Sequence, residues 1–306
     1  MGPHEMSAMA DEYALRARTL KRSGEARLAG RRDPRTTLIG LLEMTEGLVE
    51  FMYQFWLGDE ASKKIHTTVW PTMIGLVNAC RGRWRDNAVT ERQRAVIGLI
   101  FLIEACVYSR TSAVQFGQMS RVMDVAASSP APGPSSAIAP LNSAHSRSSS
   151  ASHPTPPTLV SPEPSPHSTG SSSTSSPSPG RPTPSAHDVW DVARNIAHSA
   201  KRFNEGHAAL SPAILSKLFP LTWARCSRSS LTLSEGHDVY PESCSKPAPP
   251  DAAPLADEEA AWCWPPTSGE HIVHLIGFAK SLIWELARAE LPDAPYRGAA
   301  GVNTQY

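Results

Sequence analysis

Six residues in the last third of the chain are of types that hold metal ions: Cys226, His237, Cys244, Cys263, His271 and His274. His271 and His274 stand one helical turn apart, so both could address one ion from a single helix face. Two imidazoles and two thiolates would make a tetrahedral zinc site. The remaining spacings fit no familiar zinc module, and no Cys-x-x-Cys occurs in the chain. Scattered packing and surface roles are therefore the expectation, with no metal and no cofactor. The same cysteines and histidines are the basis of an enzyme reading, a Cys/His site in the second helical segment. Nothing else supports it. GxSxG, the Walker loop, GxGxxG and HExxH are all missing. Glu43, Glu46 and Glu50 put three carboxylates on one helix face. A carboxylate-bundle metal site would also need Glu-x-x-His, which the chain lacks, so a solvated acidic face is expected. No catalytic residue is assigned.

A different chemistry is written into residues 128–186, where 34 of 59 positions are serine or proline. Seven hydroxyl residues precede a proline: Ser129, Thr155, Ser161, Ser165, Ser176, Ser178 and Thr183. Proline-directed kinases need an extended, accessible backbone, which proline favours. Ser178-Pro179-Gly180-Arg181 resembles the fuller cyclin-dependent kinase consensus. Each phosphate would add about −1.5 to −2 charge to a tract with almost none.

Two further groups suggest recognition. Residues 16–35 carry eight Arg or Lys against Glu25 and Asp33, and Lys21-Arg22 with Arg31-Arg32 resembles a two-part nuclear-import signal. The same cations suit phosphate contact, and the basic stretch Arg81–Arg85 reads as a loop that would add to it. Trp262 and Trp264 flank Cys263 ahead of two prolines. Such an aromatic loop can anchor a protein partner or cap the fold by packing across helix ends, and packing is favoured.

The elements that must position these residues are helices. Asp33-Pro34 is a cap followed by a proline at the first helical position. From there apolar residues recur at helical spacing to Gly58, which reads as a helix end. A second stretch runs over 60–80 and is interrupted at Trp70-Pro71. Thr90 and Gln93 form a capping box for a helix reaching about Met123. Val189, Trp190, Val192, Ala193, Ile196, Ala197 and Phe203 form the apolar set of a helix ending near Gly206. Ser211-Pro212 starts a short helix. Thr267 and Glu270 cap a final helix over 269–291 whose wide apolar arc needs neighbours on several sides.

The fold class is all-α, a helical bundle from two segments separated by a long Ser/Pro-rich insert. The division is a basic flexible arm at 1–33, a helical segment at 34–127, a disordered linker at 128–186, a second helical segment at 187–291, and a flexible tail at 292–306. The linker has too little apolar surface to offset the entropy of ordering it. Whether the two segments share one core is left open by sequence. Five cysteines with no disulfide spacing fit a reducing compartment. The run Ala95–Tyr108 contains Glu104 and is short for a bilayer, so no membrane is expected. The reading is a non-enzymatic intracellular regulatory or adaptor protein, nuclear rather than cytoplasmic, binding a protein partner through its helical core. The runner-up is a nucleic-acid-associated, transcription-related protein using the basic arm.

Overall fold

The computed structural model describes residues 2–30, 33–66, 68–128, 184–227, 262–265, 272–293, 296 and 298, with side chains in the fourth helix described to Met123. Every α-helix and the one 3-10 turn among these residues agree with an all-α fold. The helices are α1 (Pro3–Ala29), α2 (Pro34–Ser62), α3 (Met73–Asn87), α4 (Glu91–Ser128), α5 (Ala186–Ala209), α6 (Pro212–Leu218), α7 (Pro220–Ser227) and α8 (Ile272–Glu290). Residues 1–120 and 184–306 form one compact unit, and 121–183 group separately. One apolar core takes residues from both helical segments, from Leu41 and Ile103 to Phe219 and Leu282.

The caps expected at Asp33 and at Thr90 with Gln93 form, while Ser211 starts α6 without a side-chain cap bond. The Asp33 carboxylate accepts the Arg35 and Thr36 amides at 2.8 and 2.9 Å. At α4 the Thr90 hydroxyl accepts the Gln93 amide at 3.1 Å, and the Gln93 side chain returns to the Val89 amide at 2.8 Å. Ser185 and Asp188 make a further capping box for α5.

Residues Pro3–Ala29 form a helix where a flexible basic arm was expected over 1–33. Their apolar and small residues Ala10, Tyr13, Ala14, Ala17, Leu20 and Gly24 fall on one face of α1 and are buried there. That face lies antiparallel on α2. Gly24 stands against Gly40 so closely that a Cβ on Gly24 would meet the Gly40 carbonyl oxygen at 2.7 Å. Two of the cations that suggested an arm, Arg16 and Arg27, find acids on α2, Glu50 and Glu43. Charge density concealed a narrow small-residue stripe, which carries little hydropathy but permits close helix approach.

Two shorter corrections follow from tertiary contacts. α2 continues through Gly58 to Ser62 and ends at Lys63 in the left-handed region, φ 53°. Asp59 anchors the turn beyond it, accepting the His66 amide at 2.8 Å, the His66 Nδ1 at 3.0 Å and the Trp70 indole at 2.9 Å. Arg81–Arg85 is part of α3, not a loop. Trp84 is wholly buried there, its indole donating to Thr45 Oγ1 at 2.7 Å.

α8 is the central helix. Buried residues run almost without a break from Ile272 to Ala287 and include Lys280, Ser281 and Glu285. The stripe His274, Ser281, Glu285, Arg288, polar by sequence, is therefore inside the fold except at Arg288. Glu285 reaches the start of α7 and accepts the Leu221 and Thr222 amides at 3.0 and 2.7 Å. A carboxylate suits those amides because a helix N-terminus is electropositive. The stretch Glu91–Met123 of α4 is long and apolar enough to cross a bilayer, but 72% of its most apolar window is buried inside the protein. That burial accounts for its apolar character as a core helix.

Candidate functional site

α5 presents the feature most open to a partner. One of its edges packs on α4: Asn195 donates to Gln115 Oε1 at 3.0 Å, Ser199 donates to the Ala105 carbonyl at 2.9 Å, and His198 stacks on Tyr108 at 5.3 Å. Deeper in, Gly206 lies against α4, where an added Cβ would meet Leu102 at 2.6 Å and the Gly98 carbonyl oxygen at 3.0 Å. Of the apolar set expected to face a core, only Val192 and Phe203 do so. Val189, Trp190 and Ile196 are 50%, 62% and 53% exposed, and Phe116 on α4 is 61% exposed. Val189, Ala193, Ile196 and Ala200 recur at helical spacing along one exposed row. The Arg194 guanidinium lies over the Trp190 ring at 5.2 Å. This is an exposed apolar helix face, which monomeric surfaces rarely extend over many residues.

The acid row of α2 is the opposite case. Glu43, Glu46 and Glu50 were expected to be solvated and are buried instead, because α2 lies between α1 and α8. Glu50 pairs with Lys280 of α8, and Arg16 of α1 stands 3.7 Å from the same oxygen. Arg16 also lies over the Tyr13 ring at 4.6 Å. Arg27 contacts Glu43 at 2.9 Å. The Tyr296 hydroxyl donates to Glu46 Oε2 at 2.7 Å, so the segment expected to be a flexible tail is tied down there. Burial pushes the Glu50 and Glu43 carboxyls above the ordinary range, against the pull of their cations. Burial raises the Tyr296 phenol well above its usual value, and Glu46 adds to that. The Glu50 and Lys280 side chains are 0% and 2% exposed, so no solute reaches them. The cluster ties three elements together. Its one legible trace in the sequence is Lys280, a cation interrupting the apolar arc of α8.

The metal and thiol readings can be placed atom by atom. His237, Cys244 and His271 lie outside the described residues. His274 Nδ1 accepts the Cys263 amide at 3.2 Å, which places its proton on Nε2 and makes that nitrogen a donor, unsuited to a metal ion. Among the described residues no group of three or more His, Cys, Asp or Glu side chains is placed to hold a metal. Burial pushes the thiols of Cys80, Cys106 and Cys226 up to about 12, so all three stay protonated at neutral pH.

The recognition candidates separate. Trp262 is fully buried, and Trp264 stacks on Phe278 at 4.1 Å with His207 edge-on at 5.9 Å. Both rings are taken up by packing, which leaves Trp262 no face for a partner. Lys21 pairs with Glu25 at 2.9 Å on α1, Arg22 is exposed, and Arg31 and Arg32 lie outside the described residues. Arg81, part of the stretch read as a nucleic-acid loop, pairs with the buried Glu104. The phosphorylation candidates Ser129, Thr155, Ser161, Ser165, Ser176, Ser178 and Thr183, and the Thr267–Glu270 capping box, lie outside the described residues. The chain matches no protein-family model, no curated protein and no solved structure.

Proposed function

We propose that this protein is a non-enzymatic intracellular adaptor that binds a protein partner through the exposed face of α5 and the adjoining part of α4. The observation that carries the reading is the uncovered row Val189, Ala193, Ile196 of α5 together with the exposed Trp190 of α5 and Phe116 of α4. Burying a large side chain of this kind stabilises a complex by roughly 1.5–3 kcal/mol, and tryptophan is enriched among residues that dominate interfaces. The Ser/Pro-rich insert joins α4 to α5, so phosphates added there would fall near the same face in sequence. That arrangement supports phosphorylation as the control of binding, and the likeness of Lys21-Arg22 and Arg31-Arg32 to a two-part import signal supports nuclear residence.

The test is a comparison of wild type with the triple variant Val189→Ser, Trp190→Ala, Ile196→Ser, by crosslinking capture from the protein's own cells. The reading expects the variant to keep its helicity and melting temperature while losing the captured proteins. A second variant with alanine at all seven pre-proline positions should alter that set. Identical capture by wild type and triple variant would sink the proposal.

A further inference from the structure

We propose that the cleft between the first turn of α2 and the end of α8 binds a single α-amino acid with a small apolar side chain. The cleft measures about 270 Å³. That is below the roughly 300–1,000 Å³ of sites for drug-sized ligands, so its occupant is a small molecule. Its floor is apolar: Leu38 and Leu291 are nearly buried, with Pro34 and Pro292 at their edges.

Charges of both signs line this cleft. Arg35 stands on the α2 side, and Glu290 and Asp293 stand on the α8 side. No ion pair joins Arg35 to either acid among the described residues. Glu290 is held in place from α4. One of its carboxylate oxygens accepts the Thr90 hydroxyl at 2.9 Å, and the other accepts the Gln93 amide at 3.2 Å. Gln93 is itself fixed by the Val89 amide at 2.8 Å. Both donors to Glu290 are neutral, and each oxygen keeps acceptor capacity. The amides at the start of α2 do not supply this site, because Asp33 caps Arg35 and Thr36.

This arrangement fits a zwitterion. An ammonium would donate to Glu290 and Asp293, a carboxylate would take the Arg35 fork, and the side chain would rest on Leu38 and Leu291. A peptide interior carries neither charge and a peptide terminus only one. A bare metal ion would leave the floor unused and face the Arg35 cation. The proposal goes beyond the adaptor reading and does not depend on it.

The experiment is calorimetric titration of the full chain with L-leucine, N-acetyl-L-leucine and L-leucinamide. The expected result is L-leucine binding with Kd of about 1 mM or tighter. Each analogue, having lost one charge-assisted contact set, should bind at least about tenfold more weakly. Arg35→Gln should weaken leucine while leaving leucinamide unchanged, because leucinamide has no carboxylate to lose. Asp293→Asn should weaken leucine and leave N-acetyl-leucine unchanged. Both positions are exposed, and circular dichroism checks that both variants fold. The proposal is overturned if neither leucine, valine nor alanine binds at about 10 mM, or if the analogues or the variants bind as leucine binds wild type.

Discussion

The buried Glu50–Lys280 pair should be the most sensitive point in the fold, and Lys280→Met tests it. Methionine has similar length and keeps the packing of the stem against α2. What it removes is the ammonium, leaving a carboxylate that is 0% exposed with the Arg16 guanidinium 3.7 Å away. Breaking one side of a buried ion pair costs about 3–5 kcal/mol, and the Arg16 guanidinium places the expected loss near 3 kcal/mol. For a chain of this size that lowers Tm by about 6–12 °C. Urea denaturation followed by circular dichroism gives the free energy directly. The loss should also depend on pH. Burial raises the folded pKa of Glu50, so its protonated form is the one the interior favours. The stability this group contributes is therefore fully present below its unfolded pKa and declines as pH rises through the folded value. In Lys280→Met, where the cation no longer opposes burial, the deficit against wild type should be smaller at pH 5 than at pH 8. Pairing the change with Glu50→Leu removes the stranded charge and should recover at least half of the loss. A single variant within about 1 kcal/mol of wild type, or a double variant no better than the single, refutes the view that this pair joins α2 to α8.

Other outcomes follow from the same geometry. Gly206→Ala should cost about 1–3 kcal/mol by urea denaturation, since its Cβ would press on Leu102 and the Gly98 carbonyl. Gly58→Ala meets open space inside α2 and should instead stabilise by about 0.5–1 kcal/mol in the same assay. Replacing residues 129–183 with a short Gly/Ser linker should leave the main melting transition unchanged, because Gln115 and Asn195 already hold α4 beside α5. Calorimetry decides it, and loss of the cooperative transition would mean that the insert belongs to the core. Cys80 and Cys106, with thiols raised to about 12, should stay unmodified by a thiol reagent at pH 8 in the folded chain and react on unfolding. Mass mapping of the labelled sites reads this.

The locally encoded part of the fold was legible because its signals act over three or four residues. Asp33-Pro34, Thr90 with Gln93, and Ser211-Pro212 marked helix starts that the structure contains. The apolar arc of α8 implied neighbours on several sides, and α8 is central. Misreadings arose where polarity was judged without knowing what lies opposite. The acids at 43, 46 and 50 looked solvated because their partners, Arg27, Tyr296, Arg16 and Lys280, lie between 16 and 250 positions away. The residues of α1 looked like an arm because alanine and glycine at a close crossing contribute little to any hydropathy pattern. The α5 set looked like a core face because periodicity cannot say whether a helix has one neighbour or two.

By itself, then, the chain determined the helical class, the starts of α2, α4, α5 and α6 and the break at the Ser/Pro-rich tract, since capping, proline geometry and composition are local properties. Tertiary structure alone decided that both segments share one core, that the acid row is inside it, and that Val189, Trp190 and Ile196 are outside. Burial is a relation between distant residues, and no residue carries it in its own type.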